Sequence, residues 1–405
     1  MRKTSWLLVL VIAAACGSRE KSAPVSLQWQ PLPSPADSLT AEPYLTTDPS
    51  GRVFLSWIER GADTSRFLFS ELHDTAWTSP AVIARGATWF INWADYPMVA
   101  SDGASNRVAH LLDKSGEGKF AYDVKVFTSG DNGVTWRAPF ILHDDGKEAE
   151  HGFVSLVPYE GKVFVTWLDG RNTAMEGMEN MEGMDHSGHH GSMSLRAAIM
   201  DYSGQKIREW ELDKKTCDCC QTTAAITENG PVVIYRDRSD EEIRDLSIVR
   251  WVNGAWTEPA PVHRDNWKIA GCPVNGPRVS VQGGQLAVAW FSAATDPAHV
   301  NVVFSSDNGA SFGAPVSVDE GHAIGRVDIE WIDDHRVIVS WMEGTYIKAA
   351  VVHADGERET PVTIAESSEA RSSGFPQITR TQHGLVVAWT DDKSRQVKTG
   401  LLKLN

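Results

Sequence analysis

Sustained helical periodicity and long apolar runs are what this sequence lacks. Beyond the first fifteen residues, no stretch of ten or more shows a 3.6-residue apolar period, which excludes a helical bundle and a multi-span membrane protein. Positive charge is scarce: 38 Lys and Arg stand against 53 Asp and Glu, a formal net charge of −15 over 405 residues. A surface of that sign repels nucleic acid and anionic lipid, so no nucleic-acid partner is expected. A glycine-rich phosphate loop, an ordered Ser-His-Asp set and a His-Glu-x-x-His motif are all missing, which removes support for nucleotide and protease chemistry. Cysteine is sparse, five in all, with four of them between residues 217 and 272. Tryptophan is not sparse: there are 16, more than Tyr (7) or Phe (13).

The N-terminus sets the compartment. Arg2 and Lys3 precede a ten-residue apolar stretch, Trp6 to Ala15, and Ala13-Ala14-Ala15 leads directly into Cys16. A run that short cannot span a ~30 Å hydrocarbon core as a helix, so it reads as a secretory signal. Its junction resembles the lipobox of bacterial lipoproteins. That resemblance implies that residues 1–15 are removed, that Cys16 is lipidated, and that 16–24 form a polar tether. The expected location is the cell envelope, anchored by lipid to the outer membrane on its periplasmic or surface side, with Gly17 after the cysteine as the sorting residue.

A short unit recurs through the rest of the chain: a turn, an apolar β-branched run, then an aromatic residue or its stand-in. It ends at Trp57, His110, Trp167, Tyr235, Trp290, Trp341 and Trp389, at spacings of 53, 57, 68, 55, 51 and 48. Short strands between turns at a fifty-residue period predict a β-propeller of four-stranded blades over 25–405. Seven blades are expected, with six as the alternative. The last copy supplies only three strands (376–379, 385–389, 397–403), so residues 25–30 are expected to add the fourth and close the ring, removing an exposed edge. The tryptophans at the ends of the repeats are read as core.

Two turns are sharper than the others: Ser129, Asp131, Gly133 and Trp136 within SGDNGVTW, and Ser305, Asp307, Gly309 and Phe312 within SSDNGASF. The aspartates suit backbone N–H groups in the turn and the glycines a positive φ. This Ser-x-Asp-x-Gly-x-Ser/Thr-aromatic pattern resembles the Asp-box (BNR) repeat of sialidases and related propellers. The resemblance implies a sialidase-like fold and a structural role for these residues on the face opposite the usual active site. It does not carry the catalytic set, because the Phe/Tyr-Arg-Ile-Pro segment of sialidases is replaced by AEPYLTTDP.

The other face gathers the unusual segments. An insertion at 173–194 holds Met175, Met178, Met181, Met184 and Met193 with His186, His189 and His190. Thioether and imidazole are ligands for copper, Cu(I) above all, and MDHSGHHGSM resembles Met/His tracts of envelope copper-resistance proteins. The cysteine cluster, Cys217, Cys219, Cys220 and Cys272, allows two readings. One is a pair of disulfides, Cys272 to the cluster with Cys217–Cys219 or Cys217–Cys220 inside it. The other is a thiolate metal site completed by His263 or the methionine loop. Arg171, Tyr235, Arg236, Asp237, Arg238 and His263 are the remaining candidates for contact with a ligand on this face. The expectation is a monomeric, non-catalytic binding propeller with a soft-metal loop. An exo-α-sialidase or related exo-glycosidase, and a scaffold for envelope assembly, are the alternatives.

Overall fold

A computed structural model describes residues 24–173 and 191–405. It forms seven antiparallel sheets in a ring, a seven-bladed β-propeller with a single 3-10 turn at Arg371–Ser373 as its only helical element among the described residues. The six-blade alternative is excluded. Blade two is made of Met98–Ser101, Arg107–Lys114, Tyr122–Ser129 and a short outer strand, Phe140–Ile141. Blades one and four carry a split outer strand.

The ring closes as expected. Leu27–Leu32 pairs antiparallel with Gln396–Leu404, with Leu27 opposite Leu404, so the N-terminal strand is the outer strand of blade seven. Both chain ends thereby lie in one sheet and no half-blade is left with an unpaired edge.

The apolar run in each second strand has a simple cause. Side chains of a strand alternate between its two faces, and in a propeller both faces of a blade meet another blade. In blade five, Ala287 and Ala289 pack toward blade six, while Leu286, Val288 and Trp290 pack toward blade four. Seven apolar clusters result, one at each interface between neighbouring blades. Trp57, Trp167, Trp290 and Trp341 are fully buried at the ends of these strands. In blade two His110 takes the tryptophan's place, with neither ring nitrogen hydrogen-bonded, and burial alone lowers its pKa to about 3.

At the bottom, both sharp turns form as the sequence implies. Ser129 Oγ donates to Asp131 at 2.8 Å and accepts from Gly133 N–H at 2.9 Å, while Asp131 accepts from Thr135 N–H and Oγ–H at 2.9 and 2.6 Å. Ser305, Asp307, Gly309 and Ser311 repeat the arrangement within 0.1 Å. Gly133 has φ of +79°, and a Cβ there would lie 2.5 Å from the Phe69 ring. Trp136 meets Phe69 edge-on, and Phe312 packs against the interface of blades four and five.

Three innermost strands are bulged near their top ends, where Glu42, Phe153 and Arg326 adopt positive φ. These bulges turn the chain as it enters the blade from the top face. Gln221, at the entry to blade four, donates to Ala94 O and accepts from Gly276 N–H, tying three blades together.

Candidate thiol and imidazole centres on the top face

Loops that join second to third strands, and one blade to the next, leave a propeller on the same side. The insertion, the cysteine cluster and the connection into blade five therefore share the top face. Hydrogen bonds fix this locally: Gly170 N–H donates to Glu150 O, and Thr216 N–H donates to Met193 O at 2.9 Å. Thr216 is next to Cys217, so the C-terminal foot of the insertion stands beside the thiols.

Cys217, Cys219 and Cys220 present sulfurs that all lie within 4.8 Å of one another. Cys217 and Cys220 are buried, Cys219 is half-buried, and their tight turn is held by a bond from Cys217 N–H to Arg236 O. Cys272 arrives from the connection into blade five and is hydrogen-bonded to Cys219. All four are free thiols. No disulfide is formed at these distances: Cys217 and Cys220 approach to 2.9 Å between sulfurs, against ~2.05 Å for a bond.

The cluster favours one thiolate. Burial opposes ionisation of Cys217, but thiols of Cys219 and Cys220 hydrogen-bond to it and Arg244 lies close, which together hold it well below the ordinary thiol range. Hydrogen bonding to Cys217 and Cys220 pushes Cys219 up, and burial followed by hydrogen bonding to Cys217 pushes Cys220 up. Arg238 and Arg244 frame the site through ion pairs with Glu242, and Arg238 also pairs with Asp218 at 2.9 Å.

Most of the other candidates serve structure. Met193 is 1% exposed and packs with Phe164, Leu195 and Tyr235, so its reading as an exposed thioether ligand is corrected: its burial makes it part of the core between blades three and four. Tyr235 is equally buried and donates to Asp213 at 2.5 Å. Arg236 directs its N–H groups at the carbonyls of Asn275, Arg244 and Phe291, so it is not available as a carboxylate clamp. Asp237 accepts from Arg238 N–H and Ser247 Oγ–H. His263 pairs with Asp265 at 2.9 Å and leans on Trp290. Met175, Met178, Met181, Met184, His186, His189 and His190 lie outside the described residues, as does Cys16.

Sequence reasoning missed a second centre. His143 and His151 stack in parallel with ring centroids 3.6 Å apart, surrounded by Asp123, Asp145 and Asp169. Arg171 belongs here, bound to both oxygens of Asp169 at 2.8 Å. It also missed an acid group near the thiols. Tyr122 donates to Glu150 at 2.6 Å; burial raises Glu150 to about 7, with Asp218 and Cys217 adding to the effect. Burial raises Asp95 to about 8, although it accepts Phe153 N–H.

No family model matches the chain, and a search of curated proteins finds no match. Solved structures do match. A polysaccharide lyase of family PL25, an ulvan lyase bound to -[GlcA(1-4)Rha3S]-, aligns over 80% of each chain with TM-score 0.52 and 12% identity. The NanB sialidase of Streptococcus pneumoniae aligns over 94% of each chain, with TM-score 0.46 and 10% identity. The Hadza microbial sialidase Hz136 aligns over 75% of this chain with TM-score 0.42 and 15% identity, and this chain spans 63% of that one. At 12% identity the likeness to the lyase is one of architecture alone, and the seven-bladed propeller is read from this chain's own sheets.

Proposed function

We propose that the protein is a lipid-anchored envelope propeller that binds a soft metal ion, copper(I), on its top face and does so without catalysing a reaction. The observation that carries this reading is the convergence of three unbridged cysteine sulfurs within 4.8 Å at the foot of the Met/His insertion. Thiolate and thioether are soft donors that suit Cu(I). Three thiols this close are a donor set that can exchange protons for a metal, since metal binding releases them. Met175, Met178, Met181 and Met184 would supply further soft donors from the insertion, and Cys16 the anchor.

Competition with a chromophoric Cu(I) chelator tests the reading. The chain from Cys16 onward is expected to hold Cu(I) tightly. Deletion of 174–190 is expected to weaken binding, and Cys217→Ser with Cys220→Ser to weaken it more. Equal chelator competition by all three proteins would sink the proposal. For the anchor, wild type is expected in the detergent phase on extraction and Cys16→Ser in the aqueous phase.

A carbohydrate ligand is the second reading, and one feature favours it. A cleft of about 440 Å³ on the same face is floored by Phe90 and Trp93 and edged by Glu42, Arg60, Asp392 and Arg395. Aromatic faces with charged rims suit sugars. Sialidase chemistry itself finds little support, since Arg236 and Arg326 are committed to backbone carbonyls and Ser373, while Arg278 faces Tyr96, Gln377 and Asp328. Release of a fluorophore from a sialoside would restore it.

A further inference from the structure

Two buried polar atoms without partners belong to residues that line the cleft between blades seven, one and two. Glu42 is 4% exposed; its Oε1 accepts from Arg60 at 2.6 Å, while its Oε2 has no hydrogen-bond partner. Thr390 is 3% exposed, and its Oγ1 is equally unpartnered. Buried polar atoms of native proteins are hydrogen-bonded, so two exceptions in one cleft point to a group that binds there. Asp392 and Arg395 line the cleft as well, from the turn between Gly384–Asp391 and Gln396–Leu404 of blade seven. Among the described residues neither side chain makes an ion pair or a hydrogen bond.

The charges of this lining decide what fits. Glu42 with Arg60, and Asp392 with Arg395, present two carboxyl groups and two guanidinium groups. An anionic ligand is drawn by the arginines and repelled by the acids, and a cationic ligand meets the converse. A hydroxyl suits both kinds of group at once: it donates its hydrogen to a carboxylate and accepts one from a guanidinium. The apolar part of the lining is fixed in advance. Phe90 stacks one face on Tyr122 at 4.1 Å, and Trp93 lies against Phe375 at 5.5 Å. The guanidinium groups of Arg326 and Arg371 brace Trp93 from 5.1 and 5.8 Å but do not line the cleft. Rings held this way lose little freedom when a ligand arrives.

We propose that this cleft binds a neutral saccharide through its hydroxyl groups and discriminates against acidic sugars. The proposal rests on the second reading above, that the cleft takes a carbohydrate, and narrows it to an uncharged one. Neighbouring hydroxyls of a sugar ring meet the mixed charges of Glu42, Arg60, Asp392 and Arg395, while its C–H surface meets Phe90 and Trp93. The volume of about 440 Å³ falls within the ~300–1,000 Å³ of small-molecule sites. The site is built apart from the thiols, which arrive on the connections into blades four and five.

An array of immobilised glycans tests it, probed with the chain from Cys16 onward and with a Cu(I) chelator present, so that the outcome is independent of the copper(I) proposal. The array carries matched glycans that end in a hexose or in the corresponding uronic acid, so that only the carboxylate differs, together with sialylated glycans. Wild type is expected to bind at least one hexose-ended glycan and to bind its uronic counterpart at least ~10-fold more weakly. Asp392→Ala with Arg395→Ala removes two side chains that have no partner in the fold. It is expected to leave the circular dichroism spectrum and Cu(I) competition unchanged and to weaken binding of the neutral glycan at least ~10-fold. Asp392→Ala alone leaves the lining net positive and is expected to shift preference toward the uronic glycan, a change that lost stability would not produce. Tighter binding of uronic or sialylated glycans by wild type overturns the proposal and leaves the carbohydrate reading standing. Absence of binding to every glycan overturns both. Unchanged affinity of the double variant for the neutral glycan places the sugar elsewhere and overturns the proposal too.

Discussion

Asp131 and Asp307 in the bottom turns, and Asp95 and Glu330 toward the propeller axis, are carboxyl groups in opposite circumstances. The bottom pair is solvated and receives hydrogen bonds from its own turn, those from Thr135 and Ser311 foremost, which hold each at about 2. The inner pair is buried, which raises each to about 8; Asp328 raises Glu330 further, while its bond from Ser280 opposes the shift. Bottom turns thus favour the charge they carry, whereas the inner region holds acids that resist ionisation. Groups kept away from their solution preference collect where function is placed, and here they collect near the axis and the top face.

The largest way to break this comparison is to damage a bottom turn. Gly133→Val places a branched side chain at φ of +79° and against the Phe69 ring. Strain and overpacking together are expected to cost about 3–4 kcal/mol, read by urea unfolding, with Cu(I) affinity unchanged in the folded fraction. A top-face change should do the reverse. Cys217→Ser with Cys220→Ser is expected to lower Cu(I) affinity at least ~100-fold, about 2.7 kcal/mol, in chelator competition, while the thermal midpoint moves only slightly. A loss of stability there comparable to that of the turn variant would mean that the thiols are core residues and nothing more.

The two regions also differ in how legible they were. The propeller was readable because each blade repeats one physical demand, a second strand buried on both faces, and a fifty-residue period of apolar runs records it. The Asp-box turns were readable because a positive φ and a self-contained set of hydrogen bonds require particular residues at fixed offsets. The face that holds the thiols was readable from loop order. The histidine centre was not: Asp123 comes from a third strand, His143 from the end of blade two and Asp169 from a second strand of blade three, and no spacing connects them. Met193 misled because it closes a methionine-rich segment in sequence, although the chain has already re-entered the core at that residue. The cysteine pairing was not legible, because spacing alone does not choose partners among four; the turn at Cys217–Cys220 brings two of the sulfurs to 2.9 Å.

The pH profile sharpens the contrast further. Asp95 and Glu330 have folded pKa values of about 8, above their ordinary 3.8 and 4.5. Over that window the unfolded chain binds fewer protons than the folded one, so stability falls as pH rises from about 4 to about 8. Asp131 and Asp307 are depressed from 3.8 to about 2; their contribution is present above pH ~4 and is lost as pH falls toward 2. Thermal midpoints measured across pH should show both limbs. Asp95→Asn with Glu330→Gln is expected to flatten the first, and Asp131→Asn with Asp307→Asn the second. Limbs that survive both pairs of changes would place the titrating groups elsewhere.

Ser311→Ala is the smallest and most local change. It removes the hydroxyl that donates to Asp307 at 2.6 Å and leaves the backbone bond from residue 311 at 2.9 Å. Because the site is exposed, a single charged hydrogen bond there is worth only about 0.5–1 kcal/mol, near the limit of an unfolding experiment. The carboxyl itself is the better reporter. The hydroxyl of Ser311 is the foremost cause of the depressed Asp307 pKa, so carbon-detected NMR titration should find that pKa moving from about 2 back toward 3.8 while Asp131 stays put. If Asp307 does not move, the charge is held by the turn's backbone and Ser305, and the side chain at 311 matters only for the fit of the loop.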